Sequence, residues 1–174
     1  DVENAFVEAD IDRPIYMNLP ADAYRNPDKS LLTVELKRSL YGLKQAPELW
    51  DRLLVDAISK LGFKQLMHDQ CVYTYTDSSN NKVILVKYVD DIILTGNSKT
   101  LIDQIRLDLG KSFTKITFED KIQRYVGIDI DYKPHEGVLR LSQRPHIQKL
   151  INKFSTGRST SNPTIPPSSI TPIN

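Results

Sequence analysis

The chain has 174 residues, of which 40% are hydrophobic and 26% charged, and its formal net charge is +1. This is the composition of an ordinary globular protein that can bury a core. No apolar run approaches the roughly 20 residues of a membrane-spanning helix, and the first residues do not resemble a signal peptide. The single cysteine, Cys71, excludes an internal disulfide and predicts a reducing, intracellular compartment.

The charges are distributed unevenly along the chain. From Arg140 to the C-terminus there are Lys and Arg residues but no Asp or Glu, so the preceding part is net acidic. A basic end of this kind could bind phosphate groups. A solvated basic surface would explain the same pattern equally well, so the charge alone does not decide between them.

The first half of the chain predicts two strands and a helix. Residues 15–17 and 31–36 have the apolar pattern of strands, and a turn-rich stretch separates them. The apolar spacing from Pro47 to Leu61 predicts a helix with one buried face, which Gly62 would terminate.

Further strands are predicted at residues 71–76, with Cys71 as a buried thiol, and on both sides of residues 90–91. A helix is predicted from its N-cap Ser98 to Leu109. Residues 122–132 and 138–141 predict another hairpin.

A last helix is predicted to begin at Pro145, with Ile147, Leu150 and Phe154 packed inward. The tail after it is rich in Pro, Ser and Thr, and is predicted to be a linker or disordered. The expected fold class is therefore α+β, with an antiparallel sheet backed by two main helices.

Two adjacent carboxylates, Asp90 and Asp91, interrupt a pair of apolar strands. Charges beside buried strands are costly unless they are paired or bind a metal. Neighbouring residues of a straight strand point to opposite faces, so both could serve one site only at a tight turn. Carboxylate oxygens suit Mg²⁺, and a two-metal site would need a further carboxylate, for which Asp1 is the candidate. An Asp-Asp pair in an ordinary turn is the alternative.

Three motifs carry a resemblance to a known family. Tyr88-Val89-Asp90-Asp91 resembles the Tyr-x-Asp-Asp signature of reverse transcriptases, and residues 1–6 resemble their Asp-Val-x-x-Ala-aromatic motif. The block from Ser39 to Pro47, Ser-Leu-Tyr-Gly-Leu-Lys-Gln-Ala-Pro, followed by Trp50, is very similar to one in copia-type (Pseudoviridae) LTR retrotransposon polyproteins. The resemblance extends from residue 1 to about residue 154.

The resemblance implies a fragment of a Pol polyprotein that is an RNA-directed DNA polymerase by family and inactive in isolation. Residues 1–143 would form a reverse-transcriptase palm with a primer-grip-like hairpin, residues 144–154 the start of a thumb helix, and residues 155–174 a linker or disordered tail. The fingers and most of the thumb would be missing. Implied partners are an RNA or DNA template-primer, dNTPs and the remaining Pol regions (fingers, thumb, RNase H and integrase), in cytoplasmic virus-like particles or the nucleus.

The resemblance also implies roles for individual residues. Two Mg²⁺ ions, or Mn²⁺, would be bound by the catalytic carboxylates Asp1, Asp90 and Asp91. Phe6 would collide with a ribose 2′-hydroxyl, although plain core packing is its alternative role. Tyr41 and Gly42 would lie beneath the incoming nucleotide and the template base.

On the nucleic acid side, Tyr125, Val126 and Gly127 resemble the start of the hairpin that grips the primer terminus. Lys149 and Lys153 would belong to the thumb helix that follows the duplex backbone.

Two other functions remain open at this point. The chain could be a decayed or domesticated element that serves as a non-catalytic interaction module. It could also be a nucleotidyl cyclase, because those enzymes have a similar sheet with paired Asp residues and two metals. The block from Ser39 to Pro47 argues against the cyclase, since it resembles polymerases.

Overall fold

The computed structural model describes residues 1–20 and 32–155. The chain divides into two compact units, Asp1–Lys121 and Ile122–Asn174, here called the N-terminal and C-terminal units. The C-terminal unit contains both the predicted primer-grip hairpin and the last helix. The boundary expected at residues 143–144 stays a prediction. The predicted turn between the first two strands and the predicted tail lie outside the described residues, apart from Pro20 and Ser155.

The N-terminal unit contains, in chain order, α1 (Ala5–Glu8), β1 (Tyr16–Asn18), β2 (Thr33–Glu35), α2 (Ala46–Lys60), β3 (Lys64–Gln65), β4 (Val72–Thr76), β5 (Lys82–Tyr88), β6 (Asp91–Gly96) and α3 (Lys99–Gly110). Strands β1 and β2 form an antiparallel pair, and β3 to β6 form an antiparallel sheet in sequential order. The α+β class and the antiparallel pairing are thus confirmed, but the described strands form separate sheets instead of one.

Helix α2 confirms the helix predicted from the apolar spacing. Trp50, Leu54 and Ile58 on its inner face are fully buried. At its C-terminus, Gly62 has a φ of 88° and donates to the carbonyl of Ser59, while Phe63 donates to the carbonyl of Ile58. These two bonds form a Schellman motif, which satisfies the last carbonyl groups of the helix. The glycine therefore ends the helix as predicted.

The hydrophobic core lies between α2, α3 and one face of the four-stranded sheet. Helix α3 begins as predicted, because the Ser98 hydroxyl accepts from the Leu101 amide at 3.3 Å. Its buried residues Ile105 and Leu109 share the core with Trp50 and Leu85. Val2 and Ala5 join the same core, so the N-terminal segment is fixed to it.

The C-terminal unit contains β7 (Arg124–Tyr125), β8 (Ile128–Lys133), a 3₁₀ turn (Pro134–Glu136), β9 (Val138–Ser142) and α4 (Arg144–Phe154). Its three strands form an antiparallel sheet in sequential order. The predicted β8–β9 hairpin is confirmed. The single strand predicted over residues 122–132 is wrong, because a turn at residues 126–127 divides it into β7 and β8.

Two burial predictions are also wrong. Cys71 is exposed, because it precedes β4 in a turn where its amide donates to the Asp69 carboxylate at 2.8 Å. Helix α4 has no buried residue, and the side chains of Ile147, Leu150 and Phe154 are exposed. The described hydrophobic core contains only residues of the N-terminal unit, so the apolar side of α4 has no described core against which to pack.

None of the helices within residues 1–20 and 32–155 combines the length and the apolar character that crossing a membrane requires.

Candidate active site

The two adjacent carboxylates lie in the hairpin turn between β5 and β6. Tyr88 pairs with Asp91, so Val89 and Asp90 are the central residues of a two-residue turn. Val89 has a positive φ of 56° and Asp90 does not, which is the combination found in type II′ turns. Asp90 and Asp91 are both half-buried. The turn thus provides the bend that the sequence required for the two carboxylates.

Helix α2 contacts this turn through Trp50. The indole N–H of Trp50 donates to the carbonyl oxygen of Val89 at 2.7 Å. The indole ring is buried, and its centroid lies 5.4 Å from that of Phe113. Packing against Phe113 therefore fixes the orientation of the ring that holds the turn.

A second contact joins the same helix to β5. The ammonium group of Lys87, which is buried, forms an ion pair with Asp51, whose side chain is half exposed. Lys87 points to the same face as the core residue Leu85, because alternate residues of a strand share a face. Burial raises the pKa of the neighbouring Tyr73 hydroxyl above its ordinary value of 10.0, the Lys87 charge lowers it and the Asp51 charge raises it. Tyr73 stays neutral at physiological pH and accepts a hydrogen bond from Gln65 at 3.0 Å.

The segment that carries Asp1 is held by backbone pairing with the chain that follows α3. Val2 and Ile116 form an antiparallel bridge. On either side of it, the Thr117 amide donates to the Asp1 carbonyl at 2.8 Å and the Glu3 amide donates to the Lys115 carbonyl at 3.1 Å. Val2 is buried, whereas Asp1 is exposed. The carboxylate of Asp1 is therefore accessible while its backbone is fixed.

In the part of the chain that the structure describes, no three His, Cys, Asp or Glu residues are gathered as a group that could hold a metal ion. The structure brings Asp90 and Asp91 together in one turn, but it does not gather Asp1 with them into such a group. Two half-buried carboxylates suit a cation that completes its coordination with water and phosphate oxygens. The ligand set of three carboxylates stays a prediction.

The residues predicted to contact the nucleotide do lie together. An antiparallel bridge between Asp10 and Arg38 brings the chain after Arg38 alongside α1. As a result, the rings of Phe6 and Tyr41 are in contact, with centroids 4.5 Å apart. Phe6 is half-buried against the core and Tyr41 is exposed. Gly42 has a φ of 98°, and a side chain added there would meet open space.

In the C-terminal unit, the predicted primer-grip residues form the β7–β8 turn. Tyr125 pairs with Ile128, and Val126 and Gly127 both have positive φ values, of 46° and 79°. Positive φ at both central residues is the signature of a type I′ turn. The turn exposes Val126.

Lys149 and Lys153 are exposed on α4, one helical turn apart. Among the described residues neither forms an ion pair with a carboxylate, and the Lys153 ammonium lies 5.3 Å from the centroid of the Phe154 ring. Both charges are therefore available to a ligand. Contact of either lysine with nucleic acid stays a prediction.

Sequence reasoning missed the two contacts beneath the hairpin turn. The sequence places Trp50 in the helix and in the family block, and it indicates no role for Asp51. A signal existed for Lys87, which is a charge inside an otherwise apolar strand. A buried lysine needs a partner, but the pattern could not show that the partner lies on α2.

Comparisons with known proteins agree with the motifs. The family model described as reverse transcriptase (RNA-dependent DNA polymerase) matches residues 1–168. The chain is 34% identical to the Retrovirus-related Pol polyprotein from transposon TNT 1-94 of Nicotiana tabacum, over 89% of this chain and 12% of that protein. It is 30% identical to the Retrovirus-related Pol polyprotein from transposon RE1 of Arabidopsis thaliana, over 99% of this chain and 11% of that protein.

A transposon Ty5-1 protein of Saccharomyces cerevisiae is 29% identical over 88% of this chain and 48% of its own length. The chain thus spans about half or less of the length of these relatives. No solved structure matches the chain. With the family model covering nearly all of its residues, the chain belongs to the reverse transcriptase (RNA-dependent DNA polymerase) family, as a fragment of the copia type found in LTR retrotransposons.

Proposed function

We propose that this chain supplies the palm of an RNA-directed DNA polymerase, which transfers a nucleotide from a dNTP to the 3′-hydroxyl of a primer. The observation that carries the proposal is the β5–β6 hairpin. It presents Asp90 and Asp91, both half-buried, in a turn that is itself held by the core helix α2. A fixed pair of carboxylates at the end of a buried hairpin is suited to a divalent cation and the phosphates it carries.

Asp90 and Asp91 would hold the metal, Mg²⁺ or Mn²⁺, and the exposed Asp1 carboxylate would complete the set when nucleotide is bound. Two ions bound there would lower the pKa of the primer hydroxyl and stabilise negative charge on the attacked phosphate and the leaving pyrophosphate. The chain's own contribution is positioning. The turn fixes the direction of the carboxylates, and the pairing of residues 1–3 with residues 115–117 fixes the backbone of Asp1.

The contact between Phe6 and Tyr41 supports a role in nucleotide selection. Phe6 is held from behind by the core and from the side by the Tyr41 ring, so its position is fixed. A fixed aromatic ring can exclude a 2′-hydroxyl by collision, which a mobile side chain cannot do as well. The open space at Gly42 leaves room for a ligand close to the backbone. The incoming dNTP would lie against these three residues.

The C-terminal unit would contact the template-primer, which is RNA or DNA. The β7–β8 turn exposes Val126 and Gly127 beside Tyr125, and α4 exposes Lys149 and Lys153. Lysines bind phosphates of the duplex without regard to sequence. The remaining regions of a Pol polyprotein would supply the rest of the polymerase and its further activities.

The proposal is tested by the effect of metal on stability. A ligand that binds only the native state raises the free energy of unfolding, by about 1.4 kcal/mol at ten times its Kd. Millimolar Mn²⁺ or Mg²⁺ should therefore raise the melting temperature of the chain by a few degrees, as measured by circular dichroism. Asp90→Asn removes a ligand and should abolish the rise. Asp56→Asn, on α2 and paired with Lys60, is the control and should keep it. An equal response in Asp90→Asn and wild type would contradict the metal site.

A further inference from the structure

Trp50 is a buried residue that touches the candidate active site from the side of the core. Its indole N–H donates to the carbonyl of Val89, which lies immediately before Asp90 in the chain. The next residue of α2, Asp51, pairs with Lys87, two residues before Val89 on β5. Neighbouring residues of one helix thus hold the last part of β5 and the turn that follows it.

The turn needs such support. Val89 has a φ of 56°, a conformation that a β-branched residue adopts only when the surroundings impose it. The Val89 side chain is about half exposed, so its own packing contributes little to holding the turn. The hydrogen bond from Trp50 acts on the peptide group between Val89 and Asp90, whose orientation determines where the Asp90 side chain points.

We propose that Trp50 is a positioning residue, whose indole N–H fixes the Val89–Asp90 peptide and thereby the direction of the Asp90 carboxylate, with the Asp51–Lys87 ion pair as a second anchor. The inference rests on the proposed function in so far as Asp90 binds metal. The anchor itself can be measured without any metal.

Because Trp50 is the only tryptophan of the chain, its hydrogen bond can be removed at a single atom. Biosynthetic replacement of tryptophan by 3-benzothienylalanine puts sulfur in place of the N–H group and keeps the size and apolar character of the ring. Replacement by 5-fluorotryptophan keeps the N–H group and serves as the matched control. Neither replacement alters any other residue.

The first measurement uses the wild type and needs no variant to fold. The proton of its single indole N–H group should exchange with solvent at least about tenfold more slowly than that of a free indole, because a hydrogen-bonded proton is protected. Exchange at the rate of a free indole would overturn the anchor.

The second measurement compares the two analogues. In the benzothienylalanine protein, the amides of Asp90 and Asp91 should exchange about tenfold faster than in the wild type, while amides within β4 keep their rates. Its Kd for Mn²⁺ should rise by about tenfold, and the 5-fluorotryptophan protein should match the wild type in both respects. Unchanged exchange at the turn in the benzothienylalanine protein would overturn the inference.

Absence of the proposed metal site and absence of the Trp50 anchor would give different results. If the wild type binds no Mn²⁺ while its indole is protected and the turn loosens on replacement, the anchor stands and the metal proposal falls. If Mn²⁺ binds with equal Kd in the benzothienylalanine protein and the wild type, the metal site stands and the positioning role of Trp50 falls.

Discussion

Val89 combines a β-branched side chain with a φ of 56°, inside the turn that carries the carboxylates. Holding a residue other than glycine in a sparsely populated backbone conformation of this kind costs about 1–3 kcal/mol. Glycine adopts it without strain, although its freedom in the unfolded chain costs about 0.5–1 kcal/mol. Valine at this position is therefore a strained choice, which the rest of the unit compensates.

Val89→Gly should accordingly leave the free energy of unfolding unchanged or raise it, by up to about 1 kcal/mol, because relief of strain outweighs the entropic cost. The measurement is urea unfolding at neutral pH. Val86→Gly is the matched control in the same hairpin, in a strand with ordinary extended backbone, and should lower the stability by more than about 1 kcal/mol. An equal loss in both variants would show that Val89 is not strained.

At the level of single residues, the sequence indicated the carboxylates because charge interrupted an apolar pattern, and Asp90 and Asp91 do share one turn. It could not indicate the contact of Trp50 with Val89. A hydrogen bond between a helix and a turn distant in sequence leaves no periodic signal, and Trp50 has the same apolar spacing as any core residue of α2.

The turn between β4 and β5 shows how one side chain can define an element. The Asp77 carboxylate accepts hydrogen bonds from the amides of Ser79 and Asn81 and from the Asn81 side chain, all at 2.8 Å. The bond from the Asn81 side chain, followed by those from the backbone, holds the pKa of Asp77 below its ordinary value of 3.8. The ionised carboxylate thus stabilises the turn.

The consequence is a pH-dependent contribution to stability. Because the folded pKa of Asp77 is lowered, the contribution is complete above the unfolded value near 3.8 and disappears as the pH falls through the folded value. Asp77→Ala should therefore be less stable than wild type at neutral pH, with the difference shrinking below about pH 4. Urea unfolding at several pH values measures this difference in the free energy of unfolding. Asp12→Ala, which removes an exposed carboxylate, is the control. A difference that persists unchanged at acid pH would contradict this role.

Elements were predictable where their signals were local. Helix α2 had both apolar periodicity and a terminating glycine, and α3 had its serine cap. The division of β7 from β8 was missed because its first turn residue is Val126, a residue type that does not indicate positive φ. The predicted burial of Cys71 and of the apolar side of α4 is wrong, because apolar neighbours in sequence do not guarantee a surface to pack against.

For the molecule as a whole, the charge asymmetry predicts that the basic C-terminal end would bind nucleic acid. Each phosphate contact releases counterions, so log Kobs falls against log salt with a slope of roughly −0.9 per contact on a B-form duplex. Changing Lys149 and Lys153 together to Ala should weaken primer-template binding evenly across sequences and flatten that slope by about two units.

The control for this variant changes Lys60 and Lys111 to Ala, since both lysines pair with carboxylates of the N-terminal unit. Fluorescence anisotropy over a range of salt concentrations measures both variants. The control should bind as the wild type does. If the variant of Lys149 and Lys153 bound with the affinity and the salt slope of the wild type, these lysines would not contact nucleic acid, and this side of α4 would face only solvent.

The pairing of residues 1–3 with residues 115–117 also sets an order of events in folding. The β5–β6 hairpin joins strands only a turn apart and can close early, whereas this pairing closes a loop that includes almost the entire N-terminal unit. We therefore expect the segment of Asp1 to be among the last to be placed. By the same reasoning, a local opening of the pairing between residues 1–3 and 115–117 would release Asp1 while the hairpin stays closed. Such an opening would free the Asp1 segment while Asp90 and Asp91 stay in the hairpin, and a ligand that contacted both would favour the closed state by binding it.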